Sequence, residues 1–224
     1  MNSKRKFREK RKILLCDVRR NRTLRIDAIF NYAQDIGRSD SYDLGVGEGG
    51  VWFARHTIIE IEKLPELNDE IELVTYCGGV SKVSALRIVE ITKNGHCLIK
   101  VKTEWVHLDH LSFRPSLIPK WIYTYGENLK SIVRKYIKIQ DEDFLPLKEW
   151  QIREADFDMN NHVNNARLAE VIETNPRAFE IKNLECQFQR PCEKNISYAW
   201  NAKYTSLKIL SDSEVIFSAK VEYE

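Results

Sequence analysis

The chain repeats itself, and the repeat decides what it can fold into. Asp17-Val18-Arg19-Arg20-Asn21-Arg22-Thr23-Leu24 lies without gaps on Asp156-Phe157-Asp158-Met159-Asn160-Asn161-His162-Val163. Each stretch sits between a first extended run and a first helical run. Its 224 residues allow one large domain or two small ones, at roughly 100 to 200 residues per domain. The repeat selects two copies of one unit, joined edge to edge so that neither leaves that sheet edge open. The copies are not equivalent. Asp17 and Asn21 match Asp156 and Asn160, but Arg19 stands where the second copy has Asp158, and Thr23 where it has His162. Only the second copy keeps a full set of titratable groups.

Residues 24–44 place Ile26, Ile29, Phe30, Ala33, Ile36 and Gly37 at the 3.6-residue period of a helix with one buried face. Gly45 supplies a stop. Extended runs follow at 51–62, 70–77, 83–91 and 97–108. The last alternates Lys100, Lys102 and Glu104 with Ile99, Val101, Thr103 and Trp105, the two-residue period of a strand with one wet face. Asn94-Gly95 marks a tight hairpin, so its flanking strands run antiparallel. From 112 to 146 the periodicity weakens between Pro115, Pro119 and Pro146, with room for one helix over 127–137. The order then repeats: a strand at 147–155, an Asp/Asn-rich turn, a helix over 163–174 ended near Pro176, and strands at 183–190, 196–206 and 214–223. Strand, long helix, then antiparallel sheet is the order of the hotdog fold, in which the sheet wraps the helix. The expected architecture is therefore α+β, a tandem hotdog. It divides into a basic arm at 1–12, an N-terminal hotdog at 13–111, a linker at 112–146 and a C-terminal hotdog at 147–224.

Lys plus Arg total 35 against 33 Asp plus Glu, a net charge of +2. That balance argues against a dedicated nucleic-acid binder. No apolar run approaches the roughly 18 residues of a spanning helix. The positive charge is local, with Lys4, Arg5, Lys6, Arg8, Lys10, Arg11 and Lys12 crowded at the start and no apolar segment behind them of the kind a secretory signal needs. This run reads either as a solvated arm or as a docking surface for an acidic partner. Cys16, Cys77, Cys97, Cys186 and Cys192 are odd in number and read as reduced thiols of a cytoplasmic protein. No metal site is expected, because Cys186 and Cys192 are widely spaced and His56, His96, His107 and His110 lack a C-x-x-C neighbour.

Asp158, Asn160 and His162 alternate along a stretch which, if extended up to the helix start, projects all three side chains one way. A carboxylate, an amide and an imidazole on one side suit acyl transfer. Asp158 would orient and charge-stabilise His162, Asn160 would hold a water or the substrate carbonyl, and His162 would move protons near neutral pH. The N–H groups opening the next helix would meet an oxyanion. The same residue types also cap helices and build turns, and a turn cluster explains them without any chemistry.

The string Asp158-Met159-Asn160-Asn161-His162-Val163-Asn164-Asn165 resembles the D-M-N-x-H-V-N-N motif of the acyl-ACP thioesterases, plant and bacterial enzymes that release fatty acids from acyl carrier protein. The likeness runs through the helix at 25–45, Gly50-Val51-Trp52, Ile59-Glu60-Ile61-Glu62-Lys63-Leu64-Pro65, Thr103-Glu104-Trp105-Val106-His107-Leu108-Asp109, Arg114-Pro115-Ser116 and Ile118-Pro119. It covers most of the chain. The resemblance implies a tandem hotdog with Asp158, Asn160 and His162 catalytic and Asn164 on the substrate side. It also implies an acyl pocket in the first hotdog, with Trp52, Ile29 and Phe30 as lining and no cofactor. The family places a catalytic Glu in an aromatic-x-R/K-E pattern after the second helix. Here Phe188-Gln189-Arg190-Pro191-Cys192-Glu193 puts Pro191 at that position. Glu193 lies two residues on, about 7 Å along a regular strand. Either a bulge at Pro191 returns it to the site, or Asp158 or His162 activates the water alone. Cys192 matches a cysteine of the plant enzymes but reads as a small buried residue.

The activity implied by the resemblance is hydrolysis of the thioester on acyl carrier protein, a step of fatty acid biosynthesis, with the acidic carrier met by the basic arm. An acyl-CoA thioesterase and a non-catalytic hotdog that binds acyl chains or the carrier are the alternatives. No nucleic acid and no membrane span are expected, and a homodimer is left open.

Overall fold

The strand-forming runs join one antiparallel sheet of ten strands in the computed structural model, which describes residues 5–45, 51–126, 137, 143–192 and 194–223. The first half supplies β1 (Phe7–Lys12), α1 (Ile26–Asp43), β2 (Val51–Ile61), β3 (Glu70–Val80), β4 (Ser84–Lys93) and β5 (His96–Leu108). The second supplies β6 (Lys148–Trp150), α2 (Asn165–Glu170), β7 (Ile181–Phe188), β8 (Ile196–Trp200), β9 (Ser206–Ser211) and β10 (Glu214–Tyr223). The order is β1-β3-β4-β5-β2-β7-β10-β9-β8-β6. Read from either edge it is the same path, with β6 to β10 standing for β1 to β5. The halves meet where β2 pairs with β7, from His56 opposite Gln187 to Glu60 opposite Asn183.

The repeat seen in the sequence is also a repeat of hydrogen bonds. Arg19 N–H donates to Thr23 O (2.9 Å) as Asp158 N–H does to His162 O (2.8 Å), and Arg25 N–H donates to Asp17 O as Asn164 N–H does to Asp156 O (both 2.9 Å). Arg22 and Asn161, at matching positions, both take the left-handed conformation, with φ of 69° and 61°. The turn geometry therefore belongs to the unit, whichever side chains it carries.

α1 buries Ile26, Ile29, Phe30, Ile36 and Gly37, the face its periodicity predicts. Four expectations need correction. The charged run at the start is no free arm over residues 7–12, which form edge strand β1 against β3. Three of its charges are paired with carboxylates of the same chain: Arg5 bonds Asp40 (2.6 Å), Arg8 bonds Glu72 (2.6 Å) and Arg11 bonds Asp35 (3.0 Å). The strand expected at 147–155 shrinks to β6. The run at 196–206 is two strands, because Asn201 Oδ1 accepts the N–H groups of Thr205 and Ser206 and turns the chain. Glu104 is not on a wet face: it is buried, as are its outer-face neighbours His56 and Gln187. Ile137 N–H donates to Gln187 Oε1 at 2.9 Å, so this one residue of the connection lies against that part of the sheet. The rest of the helix expected over 127–137 lies outside the described residues, none of whose helices is long and apolar enough to cross a membrane.

Two cross-half contacts bind the helices. Glu173, on the short 3-10 turn that ends α2 (Val171–Thr174), accepts Ile26 N–H at 2.7 Å and holds the Arg19 guanidinium at 2.8 and 2.6 Å. Gln34 holds the matching position on α1, and its Nε2 donates to Asn164 Oδ1 at 3.3 Å. Each half thus closes the start of the other half's helix. Replacing Glu173 by Ala removes a charged acceptor from a buried helix start and takes from Arg19 its carboxylate partner, and should cost about 2–3 kcal/mol in chemical denaturation. A loss below about 0.5 kcal/mol, the range of ordinary surface substitutions, would show that the contact is incidental.

Candidate active site

The loop between β6 and α2 is a tight turn. Its three candidate side chains were expected to alternate on an extended stretch. The backbone instead closes on itself through Asp158 N–H to His162 O and Asn161 N–H to Asp158 O (3.0 Å), with Phe157 bridged to Val163. Asp158 Oδ1 accepts the N–H groups of Asn160 (2.8 Å) and His162 (3.2 Å), so the carboxylate staples the loop as Asp does in an Asx turn. Asn160 Nδ2 approaches the other carboxylate oxygen at 3.5 Å. Asp158 and His162 are half-buried and Asn160 is exposed. The turn thus brings Asp158 and Asn160 side by side and ties the His162 backbone to Asp158.

Asn164 is the N-cap of α2, where its Oδ1 accepts Ala166 N–H at 2.8 Å. That N–H is therefore not available to an oxyanion, and α2 runs only six residues before tightening. The next residue, Asn165, lines a small apolar cavity of about 20 Å3. The cavity lies between α1 and the sheet of the first half. Phe30 and Gln34 line it from α1, Phe188 from β7, and Ala54 and Thr57 from β2. Ala54 and Thr57, three residues apart, face the same way because the β2–β5 register shifts between Ala54 and His56.

The expected lining residues separate. Phe30 is in the wall and packs edge-on against Phe188 at 6.2 Å. Ile29 is fully buried in the core and does not line the cavity. Trp52 is also outside its lining, and stacks obliquely on His107 at 5.0 Å. Cys192 is buried, its Sγ donating to Lys194 O (3.2 Å) and its carbonyl accepting Val163 N–H (2.7 Å), so the chain after β7 runs beside the turn. Glu193 lies outside the described residues.

Family models match nearly the whole chain. Residues 4–125 match the acyl-ACP thioesterase N-terminal domain and residues 139–223 the C-terminal domain. The chain belongs to the acyl-ACP thioesterase family. An oleoyl-acyl carrier protein thioesterase 2 of Arabidopsis thaliana chloroplasts is 23% identical over 84% of this chain and 60% of its own length. A palmitoyl-acyl carrier protein thioesterase from the same plant is also 23% identical, over 84% of this chain and 53% of its own. The chain thus spans little more than half the length of these curated relatives. A Lactobacillus plantarum protein superposes with a TM-score of 0.88 at 18% identity, over 100% of this chain and 97% of its own. A 12:0-ACP thioesterase from Umbellularia californica superposes at 0.80 with 21% identity, over 98% and 97%. These likenesses establish the shared fold.

Other residues around the site were not singled out from the sequence. Gln34 and Arg87, both in the cavity wall, come from separate elements and carry no local signature. Gln34 could have been found by extending the repeat, since the offset that lays Asp17 on Asp156 also lays Gln34 on Glu173. Asp156 was matched to Asp17 but given no role. Its buried carboxylate accepts Arg153 N–H (2.8 Å) and Nη2 (2.7 Å) and so shapes the entry to the turn. The hydrogen bond from Arg153 outweighs burial and holds this carboxyl below its ordinary 3.8. The ion pair therefore contributes fully above that value and fades as pH falls through the lowered folded value. Asp156→Asn should cost about 1–2 kcal/mol at neutral pH. The gap to wild type should narrow when unfolding is followed into the acid range below 3.8. A gap that stayed constant with pH would contradict this role.

Proposed function

We propose that the chain hydrolyses the thioester joining a fatty acyl chain to acyl carrier protein, with Asp158, Asn160 and His162 of the second half as the reacting groups. Family membership supports the reaction class. One observation carries the assignment: of the two matched turns, the one bearing a carboxylate and an imidazole adjoins the apolar cavity, through Asn165 in its wall and Gln34 on the Asn164 cap. The other turn carries Arg19 and Thr23, and Arg19 is held in an ion pair with Glu173.

In this reading the halves are a tandem hotdog, the acyl chain lies under α1 and the thioester carbonyl sits at the turn. Water adds to the carbonyl carbon as His162 takes its proton, Asp158 holds the loop and favours the imidazolium, and Asn160 orients the water or carbonyl. Collapse of the tetrahedral intermediate breaks the carbon–sulfur bond, and the carrier's pantetheine thiolate takes the proton back. Glu193, next in sequence to the Cys192 that adjoins the turn, is a further candidate carboxylate. A cytoplasmic setting fits five free thiols, two of them buried. With Arg5, Arg8 and Arg11 paired to carboxylates of the same chain, steering of the acidic carrier falls to other basic residues.

Thiol release from carrier and CoA esters of the same acyl chain tests this directly. Turnover should favour the carrier ester, and the Asp158→Ala, His162→Ala double variant should lose about two to four orders of magnitude. Full activity in the double variant would refute the site, and preference for the CoA ester would move the substrate class. Pro191 at the family's Glu position favours a second reading, a non-catalytic binder, which predicts tight acyl-carrier binding with no thiol released.

A further inference from the structure

We propose that Arg87 is the closed end of the acyl cavity and sets the longest chain the protein accepts, a proposal that rests on the thioester reading above. Asn165 and Phe188 belong to the second half, whereas Arg87 and Val89 stand on β4. In the sheet, β4 and β7 are separated by β5 and β2. An acyl chain entering at Asn165 and running beneath α1 therefore crosses three strand spacings, about 14 Å, before it meets β4. An extended chain advances about 1.2 Å per backbone atom, since a residue of three such atoms covers roughly 3.5 Å. A chain laid along that whole path would span about ten to twelve carbons.

Arg87 is held across that path. Its Nη1 donates to Asp40 Oδ2 (2.7 Å) and Thr75 Oγ1 (3.2 Å), and its Nη2 to Ser41 Oγ (3.2 Å). Thr75 is on β3, one strand beyond β4, so the guanidinium bars the way past the cavity. Asp40 is only 5% exposed and is also held by Arg5, just ahead of β1. α1 lies on the arginine stem at Gly37, where even a Cβ would come within 3.1 Å of Arg87 Cδ. Pushing the guanidinium aside would strip a nearly buried carboxylate of a close partner, and a terminal methyl gains nothing from a cation. In a wall that also holds Phe30, Ala33, Val89, Val101 and Trp105, this is a hard stop.

The test is kcat/KM over saturated acyl carrier esters of eight to eighteen carbons for wild type, Arg87→Met, Arg87→Lys and Val89→Phe. Wild type should fall by at least roughly tenfold beyond twelve carbons, and Arg87→Met, which keeps the stem but removes the charge, should raise its ratio of sixteen-carbon to ten-carbon kcat/KM by roughly tenfold. Arg87→Lys should hold the wild-type ratio. Val89→Phe, which fills the same end, should move the limit to shorter chains. Wild-type turnover of sixteen-carbon esters as fast as ten-carbon ones would overturn the proposal, as would an unchanged ratio in folded Arg87→Met or an unchanged limit in folded Val89→Phe. Equilibrium binding of free fatty acids of the same lengths reads the limit without turnover. If no ester is hydrolysed the hydrolase reading fails, while a binding limit that moves in Arg87→Met upholds Arg87 and one that stays overturns it.

Discussion

A helix that starts in a protein interior leaves backbone N–H groups that must find acceptors, and in this chain the acceptor for α1 comes from the other half. Ile26 is fully buried, and its N–H is bonded by Glu173, whose charge is balanced by Arg19. The halves cannot part without stripping a backbone donor of its acceptor and breaking the Arg19–Glu173 ion pair. Side-by-side pairing of β2 and β7 supplies the rest of the seam, and α1 is thereby pinned over the first half of the sheet. The cavity is the space left beneath it.

The same seam sets the two copies of one turn apart. Both turns are built by the same backbone bonds and the same left-handed residue. In the first, substitution of a cation at position 19 closes the crossing with an ion pair. In the second, the crossing is made by the neutral Gln34 and Asn164, leaving the charge of Asp158 within the turn and the apolar cavity beside it. Duplication followed by divergence at Arg19 against Asp158 and Gln34 against Glu173 separates a structural lock from a candidate active site.

Local regularities were legible in the sequence. The repeat, the buried stripe of α1, the Asn94-Gly95 hairpin and the strand at 214–223 are dictated by period, turn chemistry and propensity. What failed depends on side chains meeting across the fold. A run of Lys and Arg reads as solvated until Asp40, Glu72 and Asp35 are brought to it. Glu104 reads as wet because its strand alternates, yet it is buried beside His56 and Gln187. At the candidate site, the motif named the residues proposed to react, but the turn they build was not legible. Asp at position 158 folds back on the N–H groups of Asn160 and His162, a local competition that alternation cannot reveal. Arg55, the extra residue of the β2 bulge that aims Ala54 and Thr57 into one cavity, left no mark in the pattern either.

The most direct measurement is a crystal structure of the protein with a non-hydrolysable amide analogue of acyl carrier protein. The analogue's carbonyl should lie within hydrogen-bonding reach of the turn that holds Asp158, Asn160 and His162, with the acyl chain beneath α1 and its end against Arg87. A carbonyl beside Arg19, or an acyl chain buried in the second half, would contradict the assignment of one working site fed from the first half's cavity.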